Sequence, residues 1–191
     1  MTSSYLTNPI VFLVQTLFGL YAMLALLRFL LQWVRADFYN PVSQFVVKVT
    51  TPVLRPLREV IPGYAGMDLA ALVLAWLIKS LELAIVALIA LPEANPLGAL
   101  LWALPELVSL AINIFIFTVL IRVVLSWVNP DPYHPVAGLL DSLTDPVMRP
   151  ARRMLPPVGG LDLSPVLVTI GLVLLKMLLV PPLNLVTGNP F

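Results

Sequence analysis

"TPVLRPLREVIP", Thr51 to Pro62, and "DPVMRPARRMLP", Asp145 to Pro156, place proline, arginine and apolar residues at matching positions in a chain that is 60% hydrophobic. The two stretches lie 94 residues apart (145 minus 51), and the correspondence runs well beyond them. At that offset Arg28 meets Arg122, Trp33 meets Trp127, Asp37 meets Asp131 and Tyr39 meets Tyr133. Pro41, Gly66 and Asp68 meet Pro135, Gly160 and Asp162. From Arg28 to Leu69 the alignment has 18 identities in 42 positions and no gap. Such self-similarity at a fixed period marks a tandem duplication, here with units 1–94 and 95–191.

A mean hydropathy of +0.98 and only 11% charged residues exclude an ordinary soluble domain. Crossing a hydrocarbon core about 30 Å thick takes roughly 20 apolar residues of helix, with every backbone amide satisfied internally. Four segments meet that requirement: about 9–34, 69–91, 103–128 and 163–183. Asn8 and Pro9 supply a cap and a first-turn proline for the first, whereas Pro105 obscures the start of the third. The first segment is too long for a signal peptide and has no basic region before it, so it reads as a retained span.

Nine of the eleven Lys and Arg fall at or between the ends of spans one and two or three and four: Arg28, Arg35, Lys48, Arg55, Arg58, Arg122, Arg149, Arg152 and Arg153. By the positive-inside rule both basic loops face the cytoplasm and both termini face outward. Each unit carries two crossings, so the copies enter from the same side as parallel repeats, with a pseudo-two-fold axis along the membrane normal. The expected architecture is an all-α membrane protein. It has four transmembrane helices as two helical hairpins, each with short amphipathic interfacial helices in its cytoplasmic loop.

Within the loops, Asn40-Pro41, Thr51-Pro52, His134-Pro135 and Asp145-Pro146 each read as a cap followed by a first-turn proline, which predicts two short helices per loop. Val42, Phe45, Val46 and Val49 form an apolar stripe in one copy, as do Val136, Leu139, Leu140 and Leu143 in the other. The second short helix sets Leu54, Leu57 and Ile61 against Arg55 and Arg58; its counterpart sets Met148, Ala151 and Leu155 against Arg149, Arg152 and Arg153. Those five arginines are the candidate contacts for lipid phosphates or a docking partner, the alternative being helices that only seal and anchor the bundle.

Two sets of charges lie in or beside the spans. Arg28 with Asp68, and Arg122 with Asp162, are placed to close each hairpin at its neck, unless each arginine instead snorkels toward the interface beside Trp33 or Trp127. Lys79 and Glu82 share a helical face near the middle of the second span, and Lys176 occupies the position equivalent to Glu82. A Glu82–Lys176 pair between the repeats, with a structural role, and an ion or proton path are both consistent with that placement. Gln15, Ser109 and Asn113 add polar groups to the other spans.

Cysteine is absent and His134 is the single histidine, which removes thiolate chemistry and a histidine-rich metal cluster. No phosphate-binding glycine loop, nucleophile elbow or dinucleotide fingerprint is present. Asp131, Tyr133 and His134 cluster in "NPDPYHP", but the other copy has Asn40 at the histidine position and no nucleophile stands beside it. The expectation is therefore no enzyme activity, no catalytic residue, no cofactor, no metal site and no nucleic-acid partner. Membrane lipids, a membrane or cytoplasmic protein and a second copy of the chain are the partners compatible with the pattern.

The paired segments "LLRFLLQWVRADFYNPVSQFVVKVTTPVLRPLREVIP" and "LIRVVLSWVNPDPYHPVAGLLDSLTDPVMRPARRMLP" resemble the repeated motif of the YggT family of bacterial membrane proteins and its plastid relatives. The resemblance covers almost the whole chain in two-copy form. It implies a multi-pass membrane protein with roles of the kind attached to that family: osmotic-stress tolerance, the cell-division neighbourhood and, in plastids, nucleoid organisation or assembly of membrane cytochromes. It supplies no catalytic residue, and Lys79 and Lys176 lie outside its motif.

Overall fold

A computed structural model describes residues 2–64, 66–91, 93, 95–128, 135–155 and 162–191, the side chains of residues 2–7 excepted. His134 as a cap, the Asp131–Tyr133–His134 cluster, Pro156 and Gly160 lie outside the described residues. The described chain is all-helical: α1 (Thr2–Trp33), α2 (Pro41–Val60), α3 (Leu69–Ala90), α4 (Ala99–Val128), α5 (Pro135–Met154) and α6 (Ser164–Thr187), with a 3-10 turn at Pro96–Gly98. Four stretches are long and apolar enough to cross a membrane: Asn8–Trp33, Leu69–Ala90, Pro96–Val128 and Ser164–Thr187. The chain is a multi-pass membrane protein.

The third span begins earlier than its sequence suggests, because the 3-10 turn leads straight into α4 and Pro105 lies inside that helix. Proline leaves one carbonyl without its amide partner and crowds the preceding turn; here its ring is fully buried in the packing of α4. The turn itself requires glycine: a Cβ on Gly98 would stand 2.5 Å from the Trp102 ring. Trp76 of α3 completes the junction by donating its indole N–H to Leu100 O at 2.9 Å.

Helix α1 packs chiefly on α3, and α4 on α6 and α3. Lipid tails are as apolar as leucine, so spans associate where small residues let their backbones approach closely. Ala22 and Ala25 of α1 and Ala70, Ala71 and Ala75 of α3 are all buried in this way. The central core adds Leu26, Leu30, Leu31, Leu74, Leu107 and Ile114, and is closed from the loop side by Leu54 of α2 and Leu139 and Leu143 of α5. A second cluster joins Ile112 and Val119 of α4 to Met148 of α5 and Val168 and Leu172 of α6.

Each loop forms one 20-residue helix, not two short ones. Pro52 and Pro56 lie inside α2, and Pro146 and Pro150 inside α5. The caps expected at Thr51 and Asp145 are therefore interior positions. Thr50 and Thr51 donate their hydroxyls back to Val46 O and Val47 O, the i−4 pattern that a helix accommodates by bending rather than stopping. The apolar stripes also differ between copies. In α5, Leu139, Leu140 and Leu143 are buried, whereas in α2 the buried line is Ser43, Val46, Thr50 and Leu54. Val42 and Phe45 of the expected stripe are exposed.

Candidate functional site

The loop-side end of α1 is organised by Arg28, which is 5% exposed. Its Nη1 donates to Val47 O at 3.0 Å, Thr50 Oγ1 at 2.7 Å and Thr51 Oγ1 at 3.0 Å, so the guanidinium is bonded to the middle of α2. Its Nε lies 3.6 Å from Asp68 Oδ2. Arg58 Nη2 binds the same carboxylate oxygen, and Asp68 also caps α3 by accepting from Ala71 N. One buried carboxylate thus joins α1, α2 and the start of α3.

The second copy is wired differently. Arg122 Nε pairs with Asp141 of α5, not with Asp162, and Asp162 accepts from Arg152 Nε at 3.4 Å. The Arg122–Asp162 neck is accordingly replaced by two separate pairs. Among the positions where the copies diverge, Asp141 stands where the first copy has Val47 and supplies Arg122 with a carboxylate on the loop helix itself. Burial pushes the Asp162 carboxyl up, but the Ser164 hydroxyl and backbone N–H and the Arg152 guanidinium outweigh it and hold the group below the usual carboxylate value.

Each neck borders a cavity. In the second copy a space of about 290 Å³ is lined by Arg122, Asp141, Ser142, Thr144, Asp145 and Arg152, two cations facing two carboxylates. In the first copy a space of about 580 Å³ is lined by Arg28, Gln32, Phe38, Gln44, Val47 and Lys48, with no carboxylate in its wall among the described residues.

The loop arginines are not equivalent. Arg58 is held by Asp68, Arg149 Nη2 lies 2.5 Å from Asp145, and Arg152 is held by Asp162. Arg55 and Arg153 are exposed and have no protein partner among the described residues. The two loop helices meet at their beginnings: Asn40 accepts from Val42 N, capping α2, while its Nδ2 donates to Pro135 O of α5. This tie has no signal in either helix's own periodicity, since it needs both loops at the same end of the bundle.

Inside the spans, Lys79 Nζ donates to Glu82 Oε1 at 2.8 Å and lies 4.0 Å from Glu106 Oε2 of α4. Glu82 is 2% exposed and its Oε2 has no hydrogen-bond partner among the described residues. A Cβ on Gly19 of α1 would stand 3.8 Å from that oxygen. Lys176 is not the partner of Glu82: its Nζ donates to Asn113 Oδ1 of α4 at 2.9 Å. Helix rotation decides this, because α6 packs on α4 and α5 rather than across the bundle on α3. The i, i+3 spacing of Lys79 and Glu82 was the legible part, and Glu106 enters only through the α3–α4 packing. Among the described residues, no group of three or more His, Cys, Asp and Glu is arranged to hold a metal ion.

The sequence profile described as CCB3/YggT matches twice, over residues 7–89 and 101–183. An uncharacterized protein of Pseudomonas aeruginosa is 44% identical, over 97% of this chain and 95% of its own. The uncharacterized protein YggT of Escherichia coli K12 is 39% identical, over 95% of this chain and 94% of its own. A shorter similarity, 39% over 56 residues, covering 29% of this chain and 22% of the relative, is to YlmG homolog protein 2, chloroplastic, of Arabidopsis thaliana. No solved structure matches the chain. A multi-pass helical membrane protein matched on both halves by one family profile, the chain belongs to the CCB3/YggT family.

Proposed function

We propose that this chain is a non-enzymatic protein of the bacterial inner membrane that organises lipids or membrane partners through its two basic loop helices, and so contributes to osmotic-stress tolerance. Its two hairpins act as parallel repeats, with α2 and α5 amphipathic elements at the cytoplasmic interface and both termini outside. The observation that carries this reading is the contact between the loop helices: the Asn40–Pro135 bond brings α2 and α5 together at one end of the bundle. Two basic helices therefore start side by side, and Arg55 and Arg153, further along them, are exposed cations without a protein partner among the described residues. Near an anionic leaflet each is worth about 1 kcal/mol.

A second reading, an ion or osmolyte path through Lys79, Glu82 and Lys176, is favoured by the unpartnered Glu82 Oε2. Survival of a deletion strain after osmotic upshift separates the two, with variants compared at matched protein levels. The organising role predicts failure of Arg55→Gln/Arg153→Gln and rescue by Glu82→Gln. The reverse result selects the path, and rescue by both variants removes both readings.

A further inference from the structure

The first-copy cavity and its second-copy counterpart share three equivalent wall positions, Arg28/Arg122, Val47/Asp141 and Lys48/Ser142, but differ in chemistry. In the second copy, Asp141 and Asp145 answer Arg122 and Arg152. In the first copy those two acid positions are Val47 and Thr51, and Ser142 is replaced by Lys48. The result is a wall with two cations and, among the described residues, no carboxylate. Arg28 already shares Asp68 with Arg58. Lys48 has no protein partner among the described residues and carries the uncompensated charge. Asp37, next to Phe38 in the chain, accepts from Tyr39 N with its Oδ1 and is not in the wall.

The wall is also held in place. Arg28 is fixed by its three acceptors on α2. Gln32 donates to Gly66 O at 3.1 Å and Gln44 to Tyr39 O at 3.2 Å, so the amides that flank the cations are oriented before any ligand arrives. A preset wall loses little ordering entropy on binding. Arg28 is five residues from the end of α1 at Trp33, roughly 7.5 Å along the axis, which sets it near the end of the span Asn8–Trp33, close to the boundary between headgroups and acyl chains.

On the same helix, Phe45 is 55% exposed and stands three residues before Lys48, with Val42 exposed one turn earlier. An exposed apolar strip leading to a cation suits a ligand with an anionic head and an apolar tail.

We infer that the cavity between α1 and α2, lined by Arg28, Lys48, Gln32 and Gln44, binds the phosphate of an anionic ligand, and that the Val42–Phe45 strip makes a phospholipid headgroup its source. The inference rests on placing the loop helices at the membrane interface. The second-copy cavity, with its own carboxylates, does not share the property.

The test uses the full chain in nanodiscs, with bound lipid counted by native mass spectrometry after release from the disc. Lys48→Gln disturbs no internal bond, so it isolates the site from folding; Arg28→Gln is the second variant, read only where the protein remains monodisperse. In phosphatidylglycerol discs Lys48→Gln retains about fivefold less lipid than the wild type, whereas Ser142→Ala in the other cavity retains as much. A parallel arm adds inorganic phosphate to phosphatidylcholine discs: uptake that depends on Lys48 assigns the same chemistry to a soluble phosphate. Equal retention and equal phosphate uptake by Lys48→Gln and wild type overturn the site. The osmotic survival of Arg55→Gln/Arg153→Gln then reports independently on the organising role, since neither arginine lines the cavity.

Discussion

The carboxylate of Asp68 caps α3 and lies against two guanidinia, while that of Asp162 has one loosely held arginine and a half-exposed setting. Removing one partner of a buried pair leaves a charge without compensation, a loss of about 3 kcal/mol. Asp68→Asn, which keeps the capping oxygen, should therefore lose about that much stability in detergent thermal unfolding, chiefly through Arg28. Asp162→Asn should lose less than about 1 kcal/mol, because solvent screens the pair. The second effect also depends on pH. A carboxyl held below its ordinary value of 3.8 stabilises the fold at and above that value, and the contribution is lost as pH falls through the lowered pKa. The gap between wild type and Asp162→Asn should thus be full near neutrality and vanish in strong acid.

At the scale of the helix, proline signals mislead in the loops for a physical reason. Thr-Pro and Asp-Pro are good beginnings, and each proline removes one intrahelical bond. What they cannot reveal is that Arg28 arrives from another helix to bond Val47 O and both threonine hydroxyls at the point of weakness. That stitch braces α2 but is not what makes it continuous, since α5 runs through Pro146 and Pro150 as one helix without it. The copies provide a comparison: Thr50 Oγ1 accepts from Arg28, whereas Thr144 Oγ1 donates to Leu140 O at 2.8 Å and has no arginine bond among the described residues. Thr50→Val should cost about 1.5–3 kcal/mol in the same unfolding assay, and Thr144→Val less than half of that. Equal costs would remove Arg28 as the stitch.

For the whole molecule, the four spans are legible from apolar length alone, and the basic loops from charge. Pairing is not, because it depends on how each helix is rotated about its axis. Lys176 goes to Asn113, and Arg122 goes to Asp141. The proposed orientation can be checked directly, since the chain has no cysteine of its own. Val60→Cys, on the exposed end of α2, should be shielded from an impermeant thiol reagent added outside intact cells, and Glu93→Cys between α3 and α4 should label. The opposite pattern would invert the orientation.

The Lys176–Asn113 bond also bears on biosynthesis. Lys176 stands at the middle of α6, which is made after α4, where a lysine weakens entry into the bilayer by about 2.5–3.5 kcal/mol. The rest of that helix is apolar enough to enter despite the charge. Its polar acceptor, though, is on α4, which leaves the ribosome earlier. Helix α6 therefore meets a partly built bundle that already presents Asn113. The order of synthesis matches the order in which these partners are needed, so the earlier part of the nascent chain acts as a template for the insertion of α6.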